Sequence, residues 1–398
     1  MTEPRQRSAE DRCPGVFTPH PAADGALARI RLPGGVLTAA QLQTLAEVSA
    51  EHGDGYLELT ARANIQLRGI SDLEPVADAL TAAGLLSDDG VGGVDVGGRE
   101  KIRNIVVSPL TGRIGGHADA SPIADALDAE LRRADGLDGL SGRFLFGVDD
   151  GRGDVVRRRP DVCAVLRHPA QDGVADIVVD GEVAGSVDAT AAVAPALLDV
   201  ARAMAALTAP RRWRIRDLDA AARVSVIDTA RRRLGPPGLQ TWTNAATPEP
   251  IVGWFGQDDG RVLLGAVVEL GRLPSRLAEF LAAVGAPITI TTDREILLCD
   301  LTESIAETVV RVLAPMGLIF DAASPWVRVT SCAGAPGCAN AHAPVRTDLV
   351  NRVAVGEPVT DREHWVGCER RCGSPTEPHL RVEAGPDGYH TRRVHENR

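Results

Sequence analysis

Apolar and polar positions along this chain follow two spacings, and those spacings recur in the same order in two separate blocks. The first block runs from Gly25 to about Leu86 and opens with ALARIRLPGG, whose alternation predicts a strand. A helix follows Thr38, a ready N-cap, because Leu42, Leu45 and Ala46 then share one face. YLELTARANIQLRGI, from Tyr56, reads as a second strand. LEPVADALTAAGLL reads as a second helix ending near Gly84. The second block runs from Gly260 to about Ile319: RVLLGAVVELG, PSRLAEFLAAV, ITITTDREILLCDL and ESIAETVVRVLAPMGLI. Its order is again strand, helix, strand, helix. An offset of about 230 residues is too long for a solenoid repeat, so the pattern predicts a duplicated domain with pseudo-twofold symmetry and one site between the copies.

The copies differ in charge. Aligned on Gly35 and Gly271, Arg31 corresponds to Val267. Aligned on Thr60 and Thr291, Arg62 corresponds to Asp293 and Gln66 to Leu297. This favours one asymmetric site lined mainly by the first copy. The chain divides on these patterns into 13–90, 91–245 (a mixed α/β region ending in the Pro- and Thr-rich linker near 236–250), 246–320, and 321–398 with a polar tail from about Pro386 that reads as frayed.

Composition narrows the class. Seven cysteines is an odd number, which disfavours a pure disulfide framework. MTEPRQRSAEDRCPG lacks the apolar core of a signal peptide, and no run reaches the ~18 apolar residues of a membrane span. A cytoplasmic, reducing setting is therefore expected, with no membrane partner. A net charge of −11 argues against a general nucleic-acid binder. Lys101 is the single lysine; every other strong cation is arginine.

The chemistry concentrates in four cysteines, Cys332 and Cys338, then Cys368 and Cys372. Two close pairs can bring four thiolates to one inorganic centre, either an iron–sulfur cluster or a structural zinc. The five residues inside the first pair exceed the two to four usual for zinc. Cys163 and Cys299 lie in apolar strands and read as core. Cys13, before Pro14-Gly15, reads as a turn-flanking thiol, with a place near the site as the alternative. The Gly-rich run 90–98 has no Gly-x-Gly-x-x-Gly opening onto a helix, so a nicotinamide donor would act through a separate reductase.

Cys-x5-Cys and Cys-x3-Cys after a duplicated domain, with Arg31-Leu-Pro-Gly-Gly35, Thr60-x-Arg62-x-x-x-Gln66-x-x-Gly69 and Arg103-Asn104, resemble the nitrite and sulfite reductase superfamily over about 13–385. The resemblance implies an α+β fold: two ferredoxin-like half-domains about a pseudo-dyad, beside mixed α/β cluster-binding domains. It implies a [4Fe–4S] cluster on Cys332, Cys338, Cys368 and Cys372. It assigns a catalytic cationic set to Arg31, Arg62, Arg103 and Arg143, and tetrapyrrole-holding roles to Gln66, Arg68 and Asn104. Arg68 is included because strand alternation places it on the face of Gln66 and Arg62.

Within the superfamily, DRCPGVF, LTARANIQLRG and GRFLFGVDDG are similar to the branch that acts on a precorrin in aerobic cobalamin synthesis. That branch implies O2-dependent hydroxylation of precorrin-3A with γ-lactone formation, a possible second mononuclear iron, and an external electron donor, either an NAD(P)H-linked reductase or a ferredoxin. Siroheme is not favoured. Siroheme sulfite reductases carry Lys-x-Lys where this chain has Arg143-Phe144-Leu145, and leucine supplies no proton donor. His342 and His364 flank the cysteines and are candidate ligands for a second iron. The competing functions are a siroheme-dependent nitrite or sulfite reductase and a non-enzymatic iron–sulfur or tetrapyrrole-binding redox protein.

Overall fold

The computed structural model describes residues 11, 13–86, 96–168, 174–207, 212–237 and 249–395. Most of the Gly-rich run and of the expected linker therefore lies outside the described residues. The chain forms two compact units. The first comprises 1–18, 31–35 and 85–247; the second comprises 19–30, 36–84 and 248–398. No helix among the described residues is long and apolar enough to cross a membrane.

The first copy lies in the second unit. It contains β1 (His20–Ala22), β2 (Gly25–Ile30), β3 (Val36–Leu37), α1 (Ala39–His52), β4 (Tyr56–Leu59), β5 (Ile65–Ile70) and α2 (Glu74–Ala82). Thr38 caps α1 as the sequence predicts, and a capping box forms: Gln41 N donates to Thr38 Oγ1 at 3.1 Å, and Thr38 N to Gln41 Oε1 at 3.0 Å. Leu42, Leu45 and Ala46 are buried on its inner face.

One expectation is corrected here. YLELTARANIQLRGI is not one strand but a hairpin, β4 and β5, paired antiparallel through Glu58↔Gln66 and Leu59↔Ile65. The turn is made by Thr60, whose Oγ1 accepts from Asn64 N at 3.1 Å, and by Ala63 at φ 55°. A non-glycine residue in the left-handed region gives no sequence signal, so the break was invisible. Arg62 accordingly sits in the turn and not on the strand face shared by Gln66 and Arg68.

The first unit follows in the chain: α3 (Val96–Ile102), β6 (Ile105–Val107), α4 (Ser121–Arg133), β7 (Phe146–Asp149), β8 (Val162–Leu166), β9 (Ala175–Val179), β10 (Glu182–Val187), α5 (Thr190–Ala205) and α6 (Ala220–Arg231). Its sheet has the order β10-β9-β8-β7-β6, parallel from β6 to β8 and antiparallel beyond. Alternation along β8 splits the core. Val162, Ala164 and Leu166 join Leu127, Leu197 and Val226 of the helices, while Cys163 and Val165 join Val106, Val178 and Leu145.

The chain then returns to the second unit with β11 (Gly253–Gly256), β12 (Val262–Ala266), β13 (Arg272–Pro274), α7 (Ser275–Ala283), β14 (Ile288–Ile290), β15 (Ile296–Leu301) and α8 (Glu303–Leu313). The duplication is exact in topology: β1-β2-β5-β4 in one sheet answers β11-β12-β15-β14 in the other. Thr291 Oγ1 accepts from Glu295 N at 3.2 Å, and Arg294 stands at φ 64°, as Thr60 and Ala63 do in the first copy. Each sheet is completed by a short strand from the other copy. β13 pairs with β4 through Leu273↔Leu57, and β3 pairs with β14 through Ile288↔Leu37. α1 packs on α7. These are the two ferredoxin-like half-domains and their pseudo-dyad.

The remaining elements are β16 (Val329–Ser331), α9 (Val345–Ala354), β17 (Glu363–Val366), β18 (His379–Gly385) and β19 (Gly388–Val394). They form a sheet in chain order, parallel from β16 to β18, with Val345, Leu349, Trp365 and Val382 in its core. The polar tail is not frayed over 388–394: it forms β19, paired with β18 along seven residues. Its side chains are mostly exposed, so backbone pairing and not apolar burial holds it, which explains why the hydropathy pattern missed it.

Candidate active site

The parallel strands β16 and β17 lie side by side and run directly into Cys332 and Cys368, so both cysteine loops leave the same end of the sheet. Cys332 N donates to Trp365 O at 2.9 Å, Gly367 N to Cys332 Sγ at 3.2 Å, and His342 N to Gly367 O at 2.8 Å. Glycines allow this closeness: a Cβ on Gly367 would lie 2.7 Å from Ala341 Cβ, and one on Gly334 would lie 2.7 Å from Val345 Cγ2. The thiols act on one another electrostatically. Burial raises Cys332 first; N–H groups of Gly367 and Gly334 oppose the rise, and Cys368 and Cys338 add to it. Cys372 is also raised, by desolvation and then by Cys332, Cys368 and Cys338. Four soft thiol donors on loops from one end of a sheet, two of them held protonated by burial, are suited to a cationic inorganic centre that takes thiolate charge, so the donor set fits the group the spacing implied.

His364 is fully buried, with Nδ1 2.8 Å from Thr330 Oγ1 and Nε2 3.0 Å from Cys372 O. Burial, with Arg294 nearby, pushes its pKa down to about 3, so the ring is neutral. Both nitrogens have protein partners, which makes His364 a buttress of the Cys372 loop instead of an iron ligand. His342 is exposed.

Arg68 is buried and grips Asp24 bidentately, Nε and Nη2 each at 2.9 Å, while Nη2 also donates to Gly337 O at 2.9 Å. It holds the loop that carries Cys338 and is not free to face a tetrapyrrole. Gln66 accepts from Arg29 Nη2 at 3.0 Å and donates to Glu58 Oε2 at 2.9 Å. Buried Glu58 also takes Arg346 Nη2 at 2.5 Å and has Arg272 Nε at 3.5 Å. Arg272 stacks over Tyr56 and binds Asp54 at 2.9 Å. Sequence reading missed Arg29, Arg272 and Arg346. Arg29 could have been found by alternation from Arg31, and Arg272 by its place after the aligned Gly271; Arg346 had no signal. Arg62 is half-buried at the hairpin turn.

Within the first unit Asp11 and Cys13 are each fastened to 141–143. Gly142 N and Ser141 Oγ donate to Asp11 Oδ2 at 2.7 and 2.8 Å. Arg31 is 1% exposed: Nε donates to Lys101 O and Nη2 to Cys13 Sγ, both at 3.3 Å, and Cys13 Sγ donates to Gly142 O at 3.2 Å. Asn104 Nδ2 reaches Lys101 O at 2.9 Å and Gly142 O at 2.8 Å. Arg103 is tied to Asp128 at 2.5 and 3.0 Å and to Leu85 O at 3.3 Å. Cys13 is therefore no bland turn thiol but the meeting point of three sequence motifs. Arg31, Arg103 and Asn104 are buried among protein partners, because a charge or amide removed from water needs them. Arg143 keeps 39% of its side chain exposed, 3.6 Å from Asp11 and stacked 4.1 Å over Trp213. Glu100, which sequence reading missed, is 3% exposed, and neither carboxylate oxygen has a hydrogen bond of normal geometry. Burial raises its pKa against the pull of Arg31, Arg103 and Lys101.

Leu145, where sulfite reductases place a second cation, is core. Cys163 and Cys299 are buried as expected. Asp149, Asp150 and Asp154 form the one group of three potential metal ligands within 4.8 Å among the described residues. Asp149 and Asp150 are satisfied by the protein, whereas Asp154 Oδ2 is buried without a hydrogen-bond partner. Asp149 accepts four backbone N–H groups, Asp150 holds Arg152 at 2.8 and 2.6 Å, and Asp154 takes Ser108 Oγ at 2.6 Å.

Comparison with known proteins adds four findings. The model of the nitrite/sulfite reductase ferredoxin-like half domain matches residues 20–83. The chain is 28% identical over 401 residues to the precorrin-3B synthase of a Sinorhizobium species, covering 95% of this chain and 81% of that protein. It is 25% identical to the chloroplastic ferredoxin–nitrite reductase of Zea mays, over 87% of this chain and 67% of that one. Among solved structures, the NirA protein of Mycobacterium tuberculosis superposes with a TM-score of 0.71 at 18% identity, over 92% of this chain and 73% of that chain, and so shares the fold.

Proposed function

We propose that this chain, a member of the nitrite and sulfite reductase superfamily similar along nearly its whole length to a precorrin-3B synthase, hydroxylates precorrin-3A at C20 and closes a γ-lactone. The carrying observation is the likeness to that synthase over 95% of the chain. In this reaction one atom of O2 enters the ring and the other leaves as water, which consumes two electrons from an external NAD(P)H-linked reductase or ferredoxin and two protons from solvent. Cys332, Cys338, Cys368 and Cys372 would hold a [4Fe–4S] cluster, which when bound passes single electrons.

The chain's own residues bind and orient. A precorrin is a macrocycle with a rim of carboxylates, and arginine pairs with carboxylate through a planar fork that stays charged. Carboxylate pairing is assigned separately to Arg62 in the second unit and to Arg143 in the first, the two of the four expected arginines that are not buried. Arg31 and Asn104 brace the backbone around Lys101 and Gly142, and Arg103 ties Asp128 to the backbone at Leu85. Gln66 fixes Arg29 and Glu58. Leu145 in the core leaves no basic pair on that strand, which supports this reading over sulfite reduction.

The second reading, a siroheme-dependent nitrite or sulfite reductase, is favoured by the likeness to nitrite reductases. An anaerobic absorption spectrum with iron, sulfide and extracted-pigment analysis separates the two. A dithionite-bleachable band, iron and sulfide without extractable tetrapyrrole, followed by O2-dependent addition of one oxygen to precorrin-3A by mass, is expected. Extractable siroheme would give the assignment to the reductase.

A further inference from the structure

We propose that Arg68 and Arg294 are positioning residues for the iron–sulfur centre, one from each half-domain, and that the charge of Arg294, less closely paired than that of Arg68, raises its reduction potential. This rests on the reading that Cys332, Cys338, Cys368 and Cys372 hold such a centre.

Each half-domain sends one guanidinium to a backbone carbonyl beside a different cysteine. Arg68 of β5 donates to Gly337 O, immediately before Cys338. Arg294, in the turn between β14 and β15, donates to Gly373 O at 3.3 Å, immediately after Cys372. The approach of Arg68 is built in. A Cβ on Gly337 would lie 2.9 Å from Asp24 Oδ2 and 3.5 Å from Arg68 Nη2, so glycine lets the ion pair press against the loop. On the other loop, His364 Nε2 donates to Cys372 O while Arg294 donates to the next carbonyl. The two loops are thus each clamped by a different copy of the duplicated fold, which gives the duplication a use beyond symmetry.

The two arginines differ in charge balance. Arg68 is paired bidentately with Asp24, so its effect at a distance is largely cancelled. Among the described residues Arg294 has no carboxylate at ion-pair distance; the adjacent Asp293 is held by Arg362 at 2.8 Å. A four-thiolate cluster is anionic and gains a further negative charge on reduction, so a fixed nearby cation stabilises the reduced state.

The test is an EPR-monitored redox titration of the full-length protein, with iron and sulfide counted on the same samples. Arg294→Gln keeps an amide donor and removes the charge. It is expected to load iron and sulfide like the parent but to lower the reduced-to-oxidised ratio at a fixed poise about tenfold, or about 59 mV for a one-electron couple. Arg294→Lys keeps the charge and should stay near the parent. Asp293→Asn, which leaves both loops untouched, should shift the potential the opposite way and serves if Arg294→Gln fails to load. Arg68→Gln leaves Asp24 unpaired and should lower the potential as well, whereas Arg68→Gln combined with Asp24→Asn removes a neutral pair and should leave it nearly unchanged; both should alter the EPR line shape and speed cluster loss to a chelator. Loaded Arg294→Gln or Asp293→Asn protein at the parent potential overturns the charge role; an Arg68→Gln protein with parental line shape and chelator resistance overturns the clamp. A parent preparation without iron and sulfide sinks the cluster reading itself, a distinct result.

Discussion

Arg62 and Arg31 look alike in the sequence, each inside a superfamily motif, yet they sit in different electrostatic surroundings. Arg31 is enclosed with Cys13 and Lys101, whereas Arg62 is half-buried in a turn. Arg62→Glu is therefore expected to lower kcat/KM for precorrin-3A about 10- to 100-fold, the worth of one charge-assisted hydrogen bond, with iron and sulfide content unchanged. Asp154 offers a second test. Its carboxyl is raised to about 6, by burial first and by Asp149 next. The folded state thus holds a proton that the unfolded chain has already released. The stability this contributes is present below about pH 4 and is lost as pH rises through 6. Asp154→Asn keeps an acceptor for Ser108 and should gain ~3 kcal/mol relative to the parent between pH 4 and 7, read from denaturant midpoints. At this scale the cysteines were legible because their spacing is local. The true partners of Arg68 were not, since Asp24 and Gly337 lie far away in the chain and only folding brings them together.

At the scale of elements, apolar periodicity located the helices well, and Thr38 even declared its cap. Periodicity failed where a turn used no glycine or proline. Ala63 and Arg294 both adopt left-handed backbone, so each hairpin read as one long strand. β19 failed for the opposite reason, having no buried face to pattern it. The cysteine loops are the elements with least tolerance. Gly334 stands at φ 67° with Val345 Cγ2 2.7 Å from where a Cβ would lie. Gly334→Ala combines left-handed strain of roughly 1–2 kcal/mol with that clash. It should give protein that folds but carries well under half the parental iron and sulfide per chain, measured on freshly purified samples.

For the whole molecule, duplication was readable as repeated order, but its interlocking was not. β3 and β13 are two and three residues long, too short to carry a pattern, and each belongs to the sheet of the other copy. The copies should accordingly lose structure together. Leu37, 1% exposed on β3, is the place to look. Leu37→Ala is expected to cost about 2–5 kcal/mol. Hydrogen exchange should then quicken in parallel along β4–β5 and β14–β15; protection lost in one sheet alone would show that the copies fold separately.

The same exchange of strands also sets a timetable for the growing chain. β4 emerges from the ribosome roughly 200 residues before β13, its neighbour in the finished sheet. At ~5–20 residues per second that is a wait of about 10–40 seconds, during which Tyr56–Leu59 offers an open edge to any passing strand. Slower growth at low temperature lengthens the wait, whereas binding of the nascent edge by a chaperone shortens its exposure. Yield of this protein should therefore respond more to chaperone supply during translation than to cooling of the culture.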